Sequence, residues 1–290
     1  MGNNYVAYID TDSVFIMLNQ YLIDQGVDIE KWNAIDKDTK VKFLLRLSKE
    51  IETHVNDKSY NHTQLVDYNS IVDQDNFSIK LKQEIVCSNA LFLAPKMYAF
   101  HVINEEGYDT DNVDAKGIEI VRSSAPTAFR NALKTILELL LKGHSDEELS
   151  TLVDKFKKEF YKAKPEDISV NIGVNGIDKY IVDGEYRKGT PYHIKGIAHY
   201  HFLLKELGIE HKYEHIKEGD KCKIVYLRPN KYGLDTVTYY KWPKEFFDNG
   251  ILIDYDIMIE KYFINKAKII LDPINRAGIL EDKGVEDLFF

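Results

Sequence analysis

The chain has 290 residues, 44% of them hydrophobic, so it can bury one large core or two ordinary ones. It has 38 Lys and Arg residues against 47 Asp and Glu residues, and the net charge of −9 argues against a generally basic nucleic-acid coat protein while allowing a local basic surface. No apolar run approaches the roughly 18 residues of a membrane span, and the start of the chain lacks the regions of a signal peptide. Cys87 and Cys222 stand far apart among apolar residues, so we predict free buried thiols, a cytoplasmic location and no membrane association.

The first predicted element is a hairpin whose two short strands flank Asp10-Thr11-Asp12-Ser13. Its strands are rich in β-branched and aromatic residues. Because strand side chains alternate between faces, Asp10 and Asp12 are expected on the same side. Two carboxylates in one small volume repel each other, and a bound cation relieves that repulsion. The spacing alone also fits an acidic turn that simply faces water.

The rest of the first half is predicted as helices followed by a sheet. Residues 18–57 carry apolar residues at helical spacing, and residues 58–76 are polar and predicted as a loop. From Phe77 to Phe92 the sequence alternates and then becomes continuously apolar, which is typical of strands half covered by helices. Glu84 stands inside this stretch. A lone acidic residue in a strand usually faces solvent, but the apolar run after Glu84 also allows a place beside the Asp10 hairpin.

The second half is predicted to be mostly helical, and we place a domain boundary near residue 120. An apolar stripe follows Pro126 and stops at Gly143. Ser145 and Glu148 then form a capping box for a second helix. The remaining predicted elements are a helix from His193 to Leu207, a hairpin of Lys221 to Leu227 with Thr236 to Trp242, and a helix from about Tyr255 to Lys268.

Several segments resemble motifs of family B DNA polymerases and occur in that family's order. Asp10-Thr-Asp-Ser resembles the third palm motif, and Lys96-Met-Tyr98 resembles the Lys-x-Tyr motif. Glu84 lies fourteen positions before Tyr98, as a strand glutamate does in the family. Later segments resemble the palm-to-thumb connection and thumb segments of replicative polymerases from T-even-type bacteriophages: Gly117-x-Glu119-x-x-Arg122-Ser123-Ser124-x-Pro126, Pro191-Tyr-His193-Ile-Lys195-Gly196 and Asp254-Tyr-x-x-x-x-Glu260-Lys-x-Phe263-Ile264.

The resemblance implies an α+β fold in two domains. Residues 1–120 would form the C-terminal portion of a polymerase palm, an antiparallel sheet with helices on one face. Residues 121–290 would form a mostly helical thumb with a small β-hairpin and a clamp-binding tail. The implied activity is that of a DNA-directed DNA polymerase, a nucleotidyltransferase of DNA replication.

The resemblance also implies a catalytic site and a DNA path. Nucleotidyl transfer from dNTP uses two Mg²⁺ ions roughly 3.5–4 Å apart. Asp12 would bridge the ions together with an aspartate from elsewhere, while Asp10 and Glu84 would support the site. Residues expected to contact the backbone of primer–template DNA are Lys96, Tyr98, Arg122, Ser123, Ser124 and Lys195.

Parts of the family pattern have no counterpart in this sequence. They are the first palm motif with its metal-binding aspartate, the fingers helix and the exonuclease carboxylates, all of which precede the third palm motif in the family. We therefore expect either the C-terminal polypeptide of a split polymerase or a fragment cut from a whole one. It would be inactive without an N-terminal polypeptide that carries the other parts.

The C-terminal residues Val285 to Phe290 are apolar where a free terminus is normally polar. Such a peptide suits a hydrophobic pocket on a partner. A similar aromatic tail binds the sliding clamp in the T-even-type polymerases, so the resemblance implies this role for Leu288, Phe289 and Phe290. The alternative is that these residues fold back onto the thumb.

Two other functions remain open at this point. Asp10-x-Asp12-x-Val14 after an apolar strand also matches the start of a haloacid-dehalogenase-type phosphatase, a fold that requires a parallel βα unit. The other alternative is a non-catalytic protein that binds DNA and the clamp. We predict no zinc site among the five histidines from His193 to His215, because His199 and His201 do not share a helix face; they are expected on the helix surface or in a DNA groove.

Overall fold

The computed structural model describes residues 5–10, 12–57, 80–118, 125–182 and 185–281. The chain divides into two compact units, Met1–Lys116 and Gly117–Phe290. The sequence predicted a domain boundary near residue 120. Helices combine with antiparallel sheets, so the predicted α+β class is confirmed. The assignment of the units to a palm and a thumb stays a prediction.

The first unit opens on the predicted hairpin, formed by β1 (Val6–Asp10) and β2 (Ser13–Ile16). The strands are antiparallel, with Ile9 opposite Val14 and Asp10 opposite Ser13. Three helices follow, as the helical spacing predicted: α1 (Leu18–Asp24), α2 (Ile29–Ala34) and α3 (Lys37–Val55).

An antiparallel sheet follows in the order β3 (Ile85–Ala94), β4 (Met97–Glu105) and β5 (Tyr108–Lys116). The predicted strand from Phe77 is too long, because residues 80–84 have no regular structure; residues 77–79 lie outside the described part of the chain. The sequence did not predict strand β5, because its Asp and Asn residues interrupt the alternation of apolar and polar residues. Helix α3 covers one face of the sheet, where Val41 and Leu44 pack with Val86 and Ile103.

The hairpin is packed on the sheet by a cluster of aromatic rings contributed by Tyr8, Phe15, Phe92, Tyr98 and Phe100. The centroids of Phe15 and Phe100 are 5.0 Å apart and the rings are nearly parallel. Such offset ring pairs add to the stabilisation that burial alone provides. The cluster fixes one face of the hairpin against β3 and β4.

The second unit begins with two long helices, α4 (Thr127–Leu141) and α5 (Asp146–Phe160). The capping box of Ser145 and Glu148 is present, as predicted. The elements that follow are α6 (Pro165–Ile168), β6 (Val170–Gly173), α7 (Ile177–Tyr180), β7 (Ile181–Val182), β8 (Glu185–Tyr186), α8 (Tyr192–Glu206), β9 (Lys221–Tyr226), β10 (Thr236–Tyr239), α9 (Lys244–Asp248), α10 (Tyr255–Ile259), a π-helical segment (Glu260–Ile264), α11 (Asn265–Leu271) and two 3₁₀ helices (Asp272–Ile274 and Ala277–Leu280).

The predicted hairpin of β9 and β10 is confirmed and carries β6 on its other edge, in the order β10-β9-β6. Helix α8 lies directly on β10. Gly196 makes this approach possible, since a Cβ atom there would lie 2.5 Å from Oγ1 of Thr238. Thr238 Oγ1 in turn donates a hydrogen bond of 2.8 Å to the carbonyl of His193.

Both cysteines are free, as predicted; Cys222 is buried and Cys87 half-buried. Burial raises the pKa of each thiol to about 12, so both stay protonated at neutral pH. Among the described residues, no helix is both long and apolar enough to cross a membrane.

Candidate functional site

The two carboxylates of the first hairpin lie in different environments. Asp10 ends β1 and is only 8% exposed, whereas Asp12 lies in the turn and is exposed. Thr11, between them, lies outside the described residues. Strand β2 continues antiparallel to β1, which contradicts the parallel βα unit that a haloacid-dehalogenase-type phosphatase requires.

Three donor groups surround the carboxylate of Asp10. The Tyr98 hydroxyl donates a hydrogen bond of 3.2 Å to Oδ2. The ammonium of Lys116 lies 3.7 Å from the same oxygen, and the ammonium of Lys96 lies 4.0 Å from Oδ1. A buried carboxylate is stable only when its charge is compensated by hydrogen bonds or by cations, and here it has both.

Lys96 lies in a strained turn between β3 and β4. Residues Pro95 and Lys96 connect β3 to β4, and Lys96 has a φ of 61°, in the left-handed region. A non-glycine residue pays roughly 1–2 kcal/mol for this conformation. The backbone N–H of Lys96 donates a hydrogen bond of 2.8 Å to the Tyr8 hydroxyl, which holds the turn against the hairpin. The Lys96 side chain remains 74% exposed.

Lys116 was missed by the sequence interpretation. It ends β5 directly opposite Tyr98, and its ammonium lies 5.8 Å from the centroid of the Tyr98 ring. A hydrogen bond with Tyr98 and the nearby Asp10 carboxylate raise the pKa of Lys116. The register of β5 alone places Lys116 here, and that strand was not predicted.

Glu84 is not part of this cluster. It precedes β3, and its carbonyl accepts a hydrogen bond of 2.7 Å from the N–H of Glu106. Tyr98 pairs with Phe92 at the other end of the same hairpin. Glu84 therefore lies at the Glu105 end of the β3–β4 pair, whereas Asp10 contacts Tyr98 at the opposite end. The described contacts do not bring Glu84 together with Asp10, and its catalytic role stays a prediction.

The described residues fit part of a magnesium site. Mg²⁺ prefers six oxygen ligands and accepts one or two carboxylates together with water and substrate phosphates. Asp12 offers an exposed carboxylate, while Asp10 is held by lysines. No group of three or more Asp, Glu, His or Cys side chains in the described part of the chain could hold a metal ion.

The other predicted DNA-contact and clamp residues are only partly described. Tyr98 is buried, and its hydroxyl binds Asp10. In the second unit, Lys195 lies in the first turn of α8, and its ammonium is 5.6 Å from the Tyr186 ring centroid. Arg122, Ser123, Ser124, Leu288, Phe289 and Phe290 lie outside the described residues.

The predicted surface position of His199 is wrong. Its side chain is buried, with Nδ1 2.8 Å from the Thr236 carbonyl and Nε2 3.3 Å from the Tyr186 hydroxyl. His201 is half-buried, and its Nε2 accepts a hydrogen bond of 2.9 Å from the N–H of Ile216. Both histidines therefore hold α8 to its neighbours.

A family model described as DNA polymerase family B matches residues 2–274. The chain belongs to DNA polymerase family B. The predicted resemblance is thereby confirmed for both units at the level of the family. The matched range includes Asp10, Asp12, Lys96 and Tyr98, whereas the tail from Leu288 to Phe290 lies beyond it.

Two curated bacteriophage proteins are similar to this family B chain. The DNA-directed DNA polymerase of Enterobacteria phage T4 is 24% identical over 297 residues, which cover 98% of this chain and 31% of the relative. That of Escherichia phage RB69 is 26% identical over 281 residues, which cover 91% of this chain and 29% of the relative. The chain thus spans less than a third of the length of either relative.

Among solved structures, the family B DNA polymerase from the hyperthermophilic archaeon Pyrobaculum calidifontis is similar, with a TM-score of 0.45 and 19% identity. The similarity covers 72% of this chain and 24% of that one.

Proposed function

We propose that this chain is the C-terminal part of a split DNA-directed DNA polymerase, with the first unit as palm and the second as thumb. The observation that carries the proposal is the hydrogen bond between Tyr98 and Asp10. It joins two motif residues that are 88 positions apart in the sequence. The Asp-Thr-Asp-Ser hairpin and the Lys-x-Tyr strand thus meet at one carboxylate in a chain that belongs to the family.

The two carboxylates have different roles in this proposal. Asp12, exposed in the turn, supplies an oxygen ligand for Mg²⁺, which when bound stabilises the charge of the triphosphate during nucleotidyl transfer. Asp10 is held by Tyr98 and two lysines and fixes the hairpin relative to β4. The exposed ammonium of Lys96 contacts the primer backbone without reading its sequence. Lys195 has the same task in the thumb.

The remaining components come from a partner. An N-terminal polypeptide supplies the exonuclease, the fingers and the other palm aspartate, and the substrates are dNTP and primer–template DNA. The proposed partner is supported by the described residues, among which no group of three or more metal-ligating side chains occurs. It is also supported by the apolar outer face of the hairpin, where Ile9 is 61% and Val14 43% exposed. Leu288, Phe289 and Phe290 bind the sliding clamp.

Primer extension tests the proposal. The purified chain alone is expected to extend no primer, and addition of the N-terminal polypeptide is expected to restore extension in Mg²⁺. Asp12→Asn should lower the restored rate by at least about a hundredfold, since it removes a metal ligand.

Two results would contradict this function. One is robust extension by the chain without a partner. The other is an Asp12→Asn complex with the full rate, which would favour a non-catalytic accessory protein. A variant truncated after Glu286, which lacks Leu288, Phe289 and Phe290, should lose clamp binding but extend short primers at an unchanged rate.

A further inference from the structure

We propose that Lys116 is a positioning residue which holds the Asp10 carboxylate against Tyr98 and thereby weakens binding of divalent cations to the hairpin. The inference rests on the proposed function only for the kind of cation that the hairpin binds. Its test is a binding measurement on this chain alone, so it can fail while the polymerase proposal stands, and the reverse also holds.

Two donor groups lie around one oxygen of the Asp10 carboxylate. Oδ2 of Asp10 receives the Tyr98 hydroxyl at 3.2 Å and lies 3.7 Å from the ammonium of Lys116. The carboxylate is 8% exposed, whereas the Lys116 side chain is 66% exposed. Lys116 therefore places a positive charge directly beside the buried carboxylate, and this charge would repel an approaching cation.

Lys116 contacts both partners of the hydrogen bond between Tyr98 and Asp10. Its backbone lies opposite Tyr98 in the ladder of β4 and β5, and its ammonium lies 5.8 Å from the Tyr98 ring centroid. The side chain thus links three strands, because Asp10 is on β1, Tyr98 on β4 and Lys116 on β5. Lys96 approaches only the other oxygen, at 4.0 Å.

The ammonium of Lys116 and a divalent cation would compete for the Asp10 carboxylate. A divalent cation bound to Asp10 would lie roughly 4–5 Å from the ammonium of Lys116, and at a solvent-like dielectric that repulsion weakens binding about tenfold. The chain alone would therefore bind divalent cations poorly at this hairpin. Cation binding that involves Asp10 requires Lys116 to move aside.

The test measures Mn²⁺ binding to the full chain by electron paramagnetic resonance of the free ion. Lys116→Met should tighten binding about tenfold, and Lys116→Arg, which keeps the charge, should behave as the wild type. Lys82→Met is the matched control. It also removes one positive charge, but Lys82 pairs with Glu106 at 3.0 Å, at the other end of the sheet from Asp10.

The Asp10→Asn background distinguishes the proposed effect from a general change of charge. The tighter binding of Lys116→Met should disappear in the double variant Asp10→Asn/Lys116→Met. Lys116→Gln serves if Lys116→Met does not fold, as judged by circular dichroism. The proposal is overturned if both neutral variants bind Mn²⁺ as the wild type does, if Lys82→Met tightens binding equally, or if the gain persists without the Asp10 carboxylate.

Discussion

At the scale of single residues, the candidate site shows how environment separates two like side chains. Asp10 and Asp12 stand two positions apart, yet one is buried under a tyrosine and two lysines and the other faces solvent. The alternation of strand side chains predicted that both carboxylates lie on the same side of the hairpin. The difference arises because the Tyr98 hydroxyl and the ammonium groups of Lys96 and Lys116 lie at the carboxylate of Asp10.

His201 makes the stability of the second unit depend on pH. Burial and the neighbouring His215 lower its pKa to about 4 from 6.5. Between these values the unfolded chain binds a proton that the folded chain excludes, so stability is present above pH 6.5 and falls as the pH drops toward 4. Protonation would also break the hydrogen bond from the N–H of Ile216 to Nε2.

The slope of the unfolding free energy against pH measures how many protons the chain takes up on unfolding. We therefore expect His201→Gln to reduce this uptake between pH 6.5 and 4 by up to about one proton. Urea unfolding at closely spaced pH values measures this slope. The matched control is His211→Gln, a change at an exposed histidine. An unchanged slope for His201→Gln would contradict the assignment.

At the scale of elements, the sequence predicted best what local interactions determine. The capping box at Ser145 and the helix after Pro126 appear where expected, because caps and helical spacing act within a few residues. Strand β5 was missed because Asp and Asn residues interrupt its apolar alternation, even though it pairs with the neighbouring strand β4. The π-helical segment Glu260–Ile264 within the last long helical stretch has no sequence signal that we recognise.

The packing of helix α8 on strand β10 depends on the absence of a side chain at Gly196. A Cβ atom there would lie 2.5 Å from Thr238 Oγ1 and 2.8 Å from its backbone nitrogen, so Gly196→Ala must push the helix away from β10. Helix propensity alone would favour alanine by about 1 kcal/mol, but overpacking against backbone costs roughly 1–3 kcal/mol or more.

Gly196→Ala is thus expected to destabilise the chain by roughly 1–2 kcal/mol in urea unfolding. Gly278→Ala provides the control, since a Cβ atom at Gly278 would meet no other atom within 4 Å. Equal stabilities of the two variants would show that α8 and β10 separate without cost.

At the scale of the whole molecule, family membership and the exposed surface of the first hairpin both support the proposed N-terminal partner. The chain spans less than a third of the length of its curated relatives, and no group of three or more Asp, Glu, His or Cys side chains in its described part could hold a metal ion. One face of the first hairpin packs on aromatic rings. The opposite face presents Ile9, Val14 and Ile16, which are 61%, 43% and 41% exposed. A strand that is apolar on both faces is typical of a sheet covered on both sides.

The N-terminal polypeptide of the proposed polymerase is therefore expected to cover this outer face. Ile9→Gln should weaken its association with the chain about tenfold or more, because a buried isoleucine contributes roughly 1.5–3 kcal/mol and an unpaired amide adds a cost. Ile269→Gln, at a residue of the second unit that is 42% exposed, is the control for loss of an apolar side chain.

Association is measured by titrating the N-terminal polypeptide into each variant and recording primer extension. Ile9→Gln should shift the midpoint to a higher partner concentration while the maximal rate is retained, because Ile9 points away from Asp10 and Asp12 keeps its place in the turn. A lower maximal rate with an unchanged midpoint would instead mean that the outer face supports the geometry of the carboxylates rather than the contact with the partner.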